Sequence, residues 1–108
     1  MDDSCRFQII TGQNMGGKST YCRTAALHII MSCIGCFIPA EEATITIVDA
    51  IRCRIGAGDR MGSGISTFMA EMLDVSAIIE ASTSNTLVII DELGRGINHY
   101  VESFYFKG

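Results

Sequence analysis

The stretch FQIITGQNMGGKST, Phe7 to Thr20, sets a short apolar run directly before three glycines, a lysine and the hydroxyl pair Ser19-Thr20. Its spacing, Gly12-x-x-x-x-Gly17-Lys18-Ser19, is the one a phosphate-cradling loop needs. Glycines let the backbone turn so that successive N–H groups point into one concavity. A helix that follows such a loop adds its unsatisfied N–H groups and the positive end of its dipole. Lys18 can then reach the β- and γ-phosphates of a nucleotide, and the Ser19 hydroxyl can ligate Mg²⁺. The other reading, an ordinary Gly-rich turn, does not need a strand before it and a Lys-Ser-Thr in register after it. The stretch is expected to bind a nucleotide.

Outward from this loop, Arg6 to Ile10 reads as a short buried strand. From Lys18 to about Cys33 the apolar positions Tyr21, Ala25, Ala26, Ile29 and Ile30 recur at helical spacing, and Gly35 is the expected stop. Pro39 marks a connection. Thr44 to Val48 is rich in β-branched residues and predicts a strand, whereas Arg52 to Gly64, with four glycines, predicts a loop. A second helix is expected from near Ser66, with Ile65, Phe68, Met69, Met72, Val75 and Ile79 as a core-facing stripe. Ser82 to Asn85 reads as a polar turn. Thr86 to Ile90 is an uninterrupted apolar run, the pattern of a parallel strand covered on both faces. Strands alternating with helices make the fold class α/β.

That last strand runs into Asp91-Glu92. Isolated buried carboxylates are costly unless a cation or hydrogen bonds compensate them. Taken alone, the pair could be a surface acid dipeptide opening a loop. Taken with the phosphate loop, Asp91 suits the water shell of a Mg²⁺ shared with Ser19. Glu92 suits the orientation or deprotonation of a water attacking the γ-phosphate. Gly64, Ser66 and Thr67 open the second helix with a further anion-friendly end, unless Ser66 is simply its cap. One chain seldom aims two helix ends at one triphosphate. Two facing chains could.

Composition sets the outer bounds. The 108 residues are 48% hydrophobic, which supports a packed core and argues against disorder. A net charge of −4 with scattered Lys and Arg argues against a nucleic-acid surface on this chain. Met1 to Ser4 lacks a signal peptide's basic and apolar regions, and no apolar run is long enough to span a membrane, so no membrane partner is expected. The five cysteines, Cys5, Cys22, Cys33, Cys36 and Cys53, follow no disulfide framework and suit a reducing compartment. Cys33-Ile-Gly-Cys36 has no second pair for zinc and sits where a helix is expected to end.

TGQNMGGKST, GCFIPA, RIGAGD, STFMAEM and VIIDELGRG occur in an order and spacing that resemble the ATPase domain of the MutS mismatch-repair family, over about Phe7 to Gly96. The wording IVDAIRCRIGAGD before STFMAEML is most similar to eukaryotic members. The resemblance implies a P-loop NTPase of the ABC-ATPase type, a parallel sheet flanked by helices, binding ATP and Mg²⁺. It implies that Gly12, Gln13, Asn14, Met15, Gly16, Gly17, Lys18, Ser19 and Thr20 form the phosphate loop. Asp91 would be the Mg²⁺ acid, and Glu92, with Lys18, would be catalytic. Ser66 would act in trans on the nucleotide of a second MutS-homologue subunit, in a heterodimer. Mismatched DNA would be held by regions absent from this chain, and the location would be the nucleus. Another ABC-type ATPase of chromosome maintenance, or a non-hydrolysing nucleotide-binding or dimerisation module, are the alternatives.

Two departures shape the expectations. Gln13 stands where the family has Pro, and Ile97 to Glu102 replace its hydroxyl run and Tyr-Asp-Gly. The strand carrying the family's switch histidine is missing, and neither His28 nor His99 stands in its place. Residues 1–108 are therefore expected to be a partial ATPase domain, C-terminally truncated within a larger protein, folding poorly and hydrolysing little ATP alone. The family strand that lies between Arg6–Ile10 and Thr86–Ile90 comes from later chain. Those two strands are expected to stand apart with a vacant lane, or to pair directly.

Overall fold

The computed structural model describes residues 6–13, 17–55, 65–93 and 101–106, with backbone alone for 65–67 and 101–106. Six elements follow one another: β1 (Phe7–Ile10), α1 (Lys18–Cys33), β2 (Ala50–Ile55), α2 (Ile65–Glu80), β3 (Thr86–Leu93) and β4 (Val101–Phe106). The fold is α/β. The four strands form one sheet in the order β1-β4-β3-β2.

β3 is its spine. Thr86, Leu87, Val88, Ile89, Ile90 and Asp91 are all buried, as the apolar run requires. Burying each large aliphatic side chain contributes about 1.5–3 kcal/mol. β2 pairs with it in parallel, from Ala50↔Thr86 to Ile55↔Asp91. Alternation sends Leu87 and Ile89 to one face, where they cluster with Cys22 and Ala26 of α1, with Ile10, Ile29 and Ile51 packed alongside. α2 contacts β2 and β3 from the other face.

Three expectations are corrected here. The strand lies at Ala50–Ile55, not at Thr44–Val48, so Arg52 to Ile55 is not loop. The cause is a clasp at Asp49. Its N–H donates to Asn85 O at 3.1 Å, and its Oδ1 accepts from Thr86 Oγ1 at 2.9 Å. The Thr83 hydroxyl donates to the other carboxylate oxygen. Pairing with β3 therefore begins one residue later, whatever the β propensity of the preceding run.

The lane between β1 and β3 is neither vacant nor closed by direct pairing, because β4 fills it. β4 runs antiparallel to both neighbours, with Phe7↔Tyr105 to Ile10↔Glu102 on one side and Leu87↔Phe106 to Ile90↔Ser103 on the other. That segment carries β-branched and aromatic residues at Val101, Phe104, Tyr105 and Phe106, and it satisfies backbone groups that would otherwise cost about 1–3 kcal/mol each.

The apolar stripes are also less buried than their periodicity implies. On α1 the buried face is Cys22 and Ala26, whereas Tyr21 and Ile30 are exposed. On α2, Phe68, Met69 and Ile79 are exposed as well. The accessible surface, 7670 Å², exceeds the about 5,900 Å² expected for a folded monomer of this mass.

α1 ends as Gly35 predicts. Gly35 has φ +76, its N–H donates to Ser32 O, and Cys36 N–H donates to Met31 O at 2.8 Å, the two bonds of a Schellman end. Cys33 and Cys36 flank that turn as free, exposed thiols, so the helix end accounts for their spacing.

Candidate functional site

β1 is antiparallel to β4 and β4 to β3, so β1 and β3 run the same way. Their C-terminal ends, and hence Gly12 after β1 and the Asp91-Glu92 pair of β3, lie at one end of the sheet. The strand between them sets their separation at about two strand spacings, or about 10 Å.

Asn14, Met15 and Gly16 lie outside the described residues, as do Gly96 and the side chain of Ser66. The flanks of the loop are described. Gly17 caps α1 with φ +84, a left-handed conformation that a β-carbon would strain, and no side chain caps the helix. Tyr21 N–H donates back to Gly17 O at 2.8 Å, closing the first turn. No acidic residue stands in that turn to offset the helix dipole. The Lys18 stem packs beside Gly12: a β-carbon there would stand 3.4 Å from Lys18 Cδ. The gap at position 12 therefore seats the lysine stem. Ser19 is half-buried and Thr20 exposed in the same first turn, with Gly12 and Gln13 exposed.

Asp91 is 2% exposed, and its Oδ1 is buried with no hydrogen-bond partner. A buried carboxylate oxygen left in that state costs about 1–3 kcal/mol or more, so a partner is chemically called for. A hydrated divalent cation fits that requirement. Glu92, half-buried, has φ +56, the left-handed region that side chains rarely adopt. It sits at an irregularity of the β3–β4 ladder between Ile90 and Leu93. Among the described side chains no three His, Cys, Asp or Glu converge as a metal cluster.

Behind Asp91 lies an apolar cleft of about 300 Å³ between α1 and the sheet, walled by Cys22, Ala26, Ile30, Cys53 and Ile55. Among the described residues of the loop, none of Gly12, Gln13, Gly17 and Lys18 lines it.

On the opposite face Arg54 ties α2 to β2. Its guanidinium lies 3.8 Å from Glu71 and 3.6 Å from Asp74. This anchor of the helix that begins near Ser66 is not visible in the sequence. Arginine in a strand reads as a loop signal, and the signal that could have found it is the pair Glu71 and Asp74 at helical i,i+3 spacing. The Asp49 clasp was equally hidden, since Thr83 and Thr86 lie more than thirty positions away.

The chain matches the model of MutS domain V over residues 8–102. It is 59% identical over 95 residues to the DNA mismatch repair protein Msh2 of Dictyostelium discoideum, covering 88% of this chain and 10% of that protein. Against MSH2 of Saccharomyces cerevisiae it is 56% identical over 94 residues, 87% of this chain and 10% of the other. Human Msh3 is 58% identical over 95 residues, 88% of this chain and 8% of the other. The chain thus spans about a tenth of the length of the relatives it matches.

Proposed function

The chain belongs to the MutS family of DNA mismatch-repair proteins, and on that premise we propose that it forms the ATP-binding and ATP-hydrolysing unit of such a protein, built as a P-loop NTPase of the ABC-ATPase type. The single observation that carries this reading is that Lys18, whose stem packs beside Gly12, and a buried Asp91 oxygen with no hydrogen-bond partner follow strands that end on the same side of the sheet.

The residues divide the work. The backbone N–H groups of the loop from Gly12 to Thr20 and the uncapped start of α1 bind phosphate oxygens. Lys18 places its positive charge on the terminal phosphates. Ser19 and, through water, Asp91 would hold Mg²⁺, which would supply positive charge to offset that of the phosphates. Glu92 accepts a proton from the attacking water or orients it, and ADP and phosphate leave. Ser66, at the head of α2, serves the nucleotide of a second MutS-homologue subunit in a heterodimer. Mismatched DNA is gripped by parts of the parent protein outside these residues, in the nucleus.

Nucleotide binding tests the first half. Lys18→Ala in a folded protein should weaken ATP more than ADP or AMP, and equal losses for all three would overturn the assignment. Turnover in the intact parent protein tests the second half. Glu92→Gln should keep ATP affinity and lower kcat, and an unchanged kcat makes Glu92 a bystander. A second reading, a nucleotide-binding or dimerisation module without turnover, is favoured by the left-handed backbone at Glu92, which re-aims that side chain relative to a regular strand. An intact parent that binds ATP without hydrolysing it would select this reading.

A further inference from the structure

β2 is an outer strand of the sheet: β3 pairs with one side of it, and among the described residues no strand pairs with the other. No turn or loop hydrogen bond among those residues reaches the backbone of Ala50–Ile55 either. Such an edge offers a row of main-chain donors and acceptors to an added strand. Proteins commonly blunt a free edge with proline, lysine or a bulge. β2 has no proline, no lysine and an unbroken register with β3.

Its side chains say what the added strand should carry. Ile51, Cys53 and Ile55 alternate onto the α1 side, where Cys53 and Ile55 are exposed along the apolar cleft. Arg52 and Arg54 alternate onto the α2 side. Arg54 has Glu71 and Asp74 nearby. Arg52 has no ion pair among the described residues, and its Nε is buried without a hydrogen-bond partner. A buried guanidinium N–H in that state calls for an acceptor, and a carboxylate is the strongest one a protein strand can bring. Directly opposite residues of paired strands share a face. The fitting strand therefore alternates apolar residues, on the α1 side, with acidic residues, on the α2 side.

We propose that the outer edge of β2 takes an extended segment of a separate protein, in which apolar residues alternate with Asp or Glu, as an added strand. Main-chain bonds along Ala50–Ile55 hold it, and the acid opposite Arg52 selects it. A second copy of this chain does not fit. Pairing β2 with β2 over its full length sets arginine against arginine. The other β-prone run, Thr44 to Val48, brings no acid, and Val48 packs on the α1 cluster of its own chain.

The test uses the synthetic peptide acetyl-Glu-Val-Glu-Val-Glu-Val-Glu-amide, titrated into the full chain and followed by amide chemical shifts. The intact parent protein serves as a second receptor. Saturable binding is expected on both, with the largest shifts along Ala50–Ile55. A peptide with Lys for every Glu should bind weaker by about tenfold or more, and so should one that groups the four Glu before the three Val. Arg52→Lys should stay within about threefold, whereas Arg52→Glu should reverse the preference and favour the lysine peptide. The unfolding temperature of the peptide-free chain should not fall in either variant, since Arg52 has no pair to lose. Absence of binding overturns the proposal, as does equal binding of the alternating and grouped peptides, or a preference that Arg52→Glu leaves unchanged. Binding to the 108-residue chain but not to the intact parent also overturns it, because the parent's own chain then covers the edge. Peptide-free chain that self-associates through Ala50–Ile55 would replace the separate protein with a second copy and overturn it likewise.

Discussion

The two faces of the sheet are covered by helices of equal length but different chemistry. α1 lies on an apolar cluster of Cys22, Ala26, Leu87 and Ile89. α2 lies over Val88 and Ile90 but is also moored by charge, through Arg54 to Glu71 and Asp74. Much of its own apolar surface, at Phe68, Met69 and Leu73, faces away from the sheet. The first arrangement is held by area removed from water and is insensitive to direction. The second depends on a half-buried guanidinium whose Nε and Nη1 make no hydrogen bond, so its hold is electrostatic and conditional. Under the proposed function this difference suits their tasks. α1 must hold its own nucleotide rigidly, whereas α2 must answer to a neighbour.

The largest break in that comparison comes from Leu87→Ala, which leaves a cavity on the α1 face and should cost about 2–5 kcal/mol in urea unfolding. On the α2 face, Glu71→Gln removes the better-buried of Arg54's two partners and should cost less, about 1–3 kcal/mol. An equal cost would mean that the faces do not differ in kind. Smaller again is the effect at the Asp49 clasp, which serves neither face. The Thr83 hydroxyl first, then Thr86, hold its carboxyl below the ordinary value of 3.8. A depressed carboxylate contributes stability that is present above pH 3.8 and is lost as pH falls through the folded value. The gap in unfolding temperature between the parent and Asp49→Asn should be constant at neutral pH and narrow below about pH 4. Least of all, Leu73→Lys should change stability by no more than about 0.5 kcal/mol, because that side chain is already 64% exposed. A large loss there would reveal packing on the outer side of α2.

How far these regions were legible follows from the range of the forces that set them. β1, α1 and β3 could be placed because their determinants are local, an apolar run, a glycine spacing, a helix with a glycine stop, although β1 is not the buried strand expected, since Phe7 and Ile9 are exposed. β2 could not, because Thr44 to Val48 has the better strand composition and the choice of Ala50–Ile55 is made by Asp49 reaching Thr83 and Thr86. β4 was seen only as a departure from a family pattern, since nothing local says that VESFYF will enter the middle of a sheet. The stripes on α1 and α2 told which side is apolar but not what covers it. At the site, the convergence of Lys18 and Asp91 on one sheet end was readable from motif order. The irregularity between Ile90 and Leu93 was not, because it depends on the register between strands.

The place of β1 has a kinetic consequence. Among the described residues its one strand partner is β4, so the ladder from Phe7↔Tyr105 to Ile10↔Glu102 closes only after about ninety residues of chain have been brought round. β3 and β4 are joined by a short connection and can find each other early, and β2 can join them through the Asp49 clasp. β1 must wait for a completed template. Gly12 follows directly on β1, so under the proposed function nucleotide bound there would favour the strand pairing that spans the longest stretch of chain.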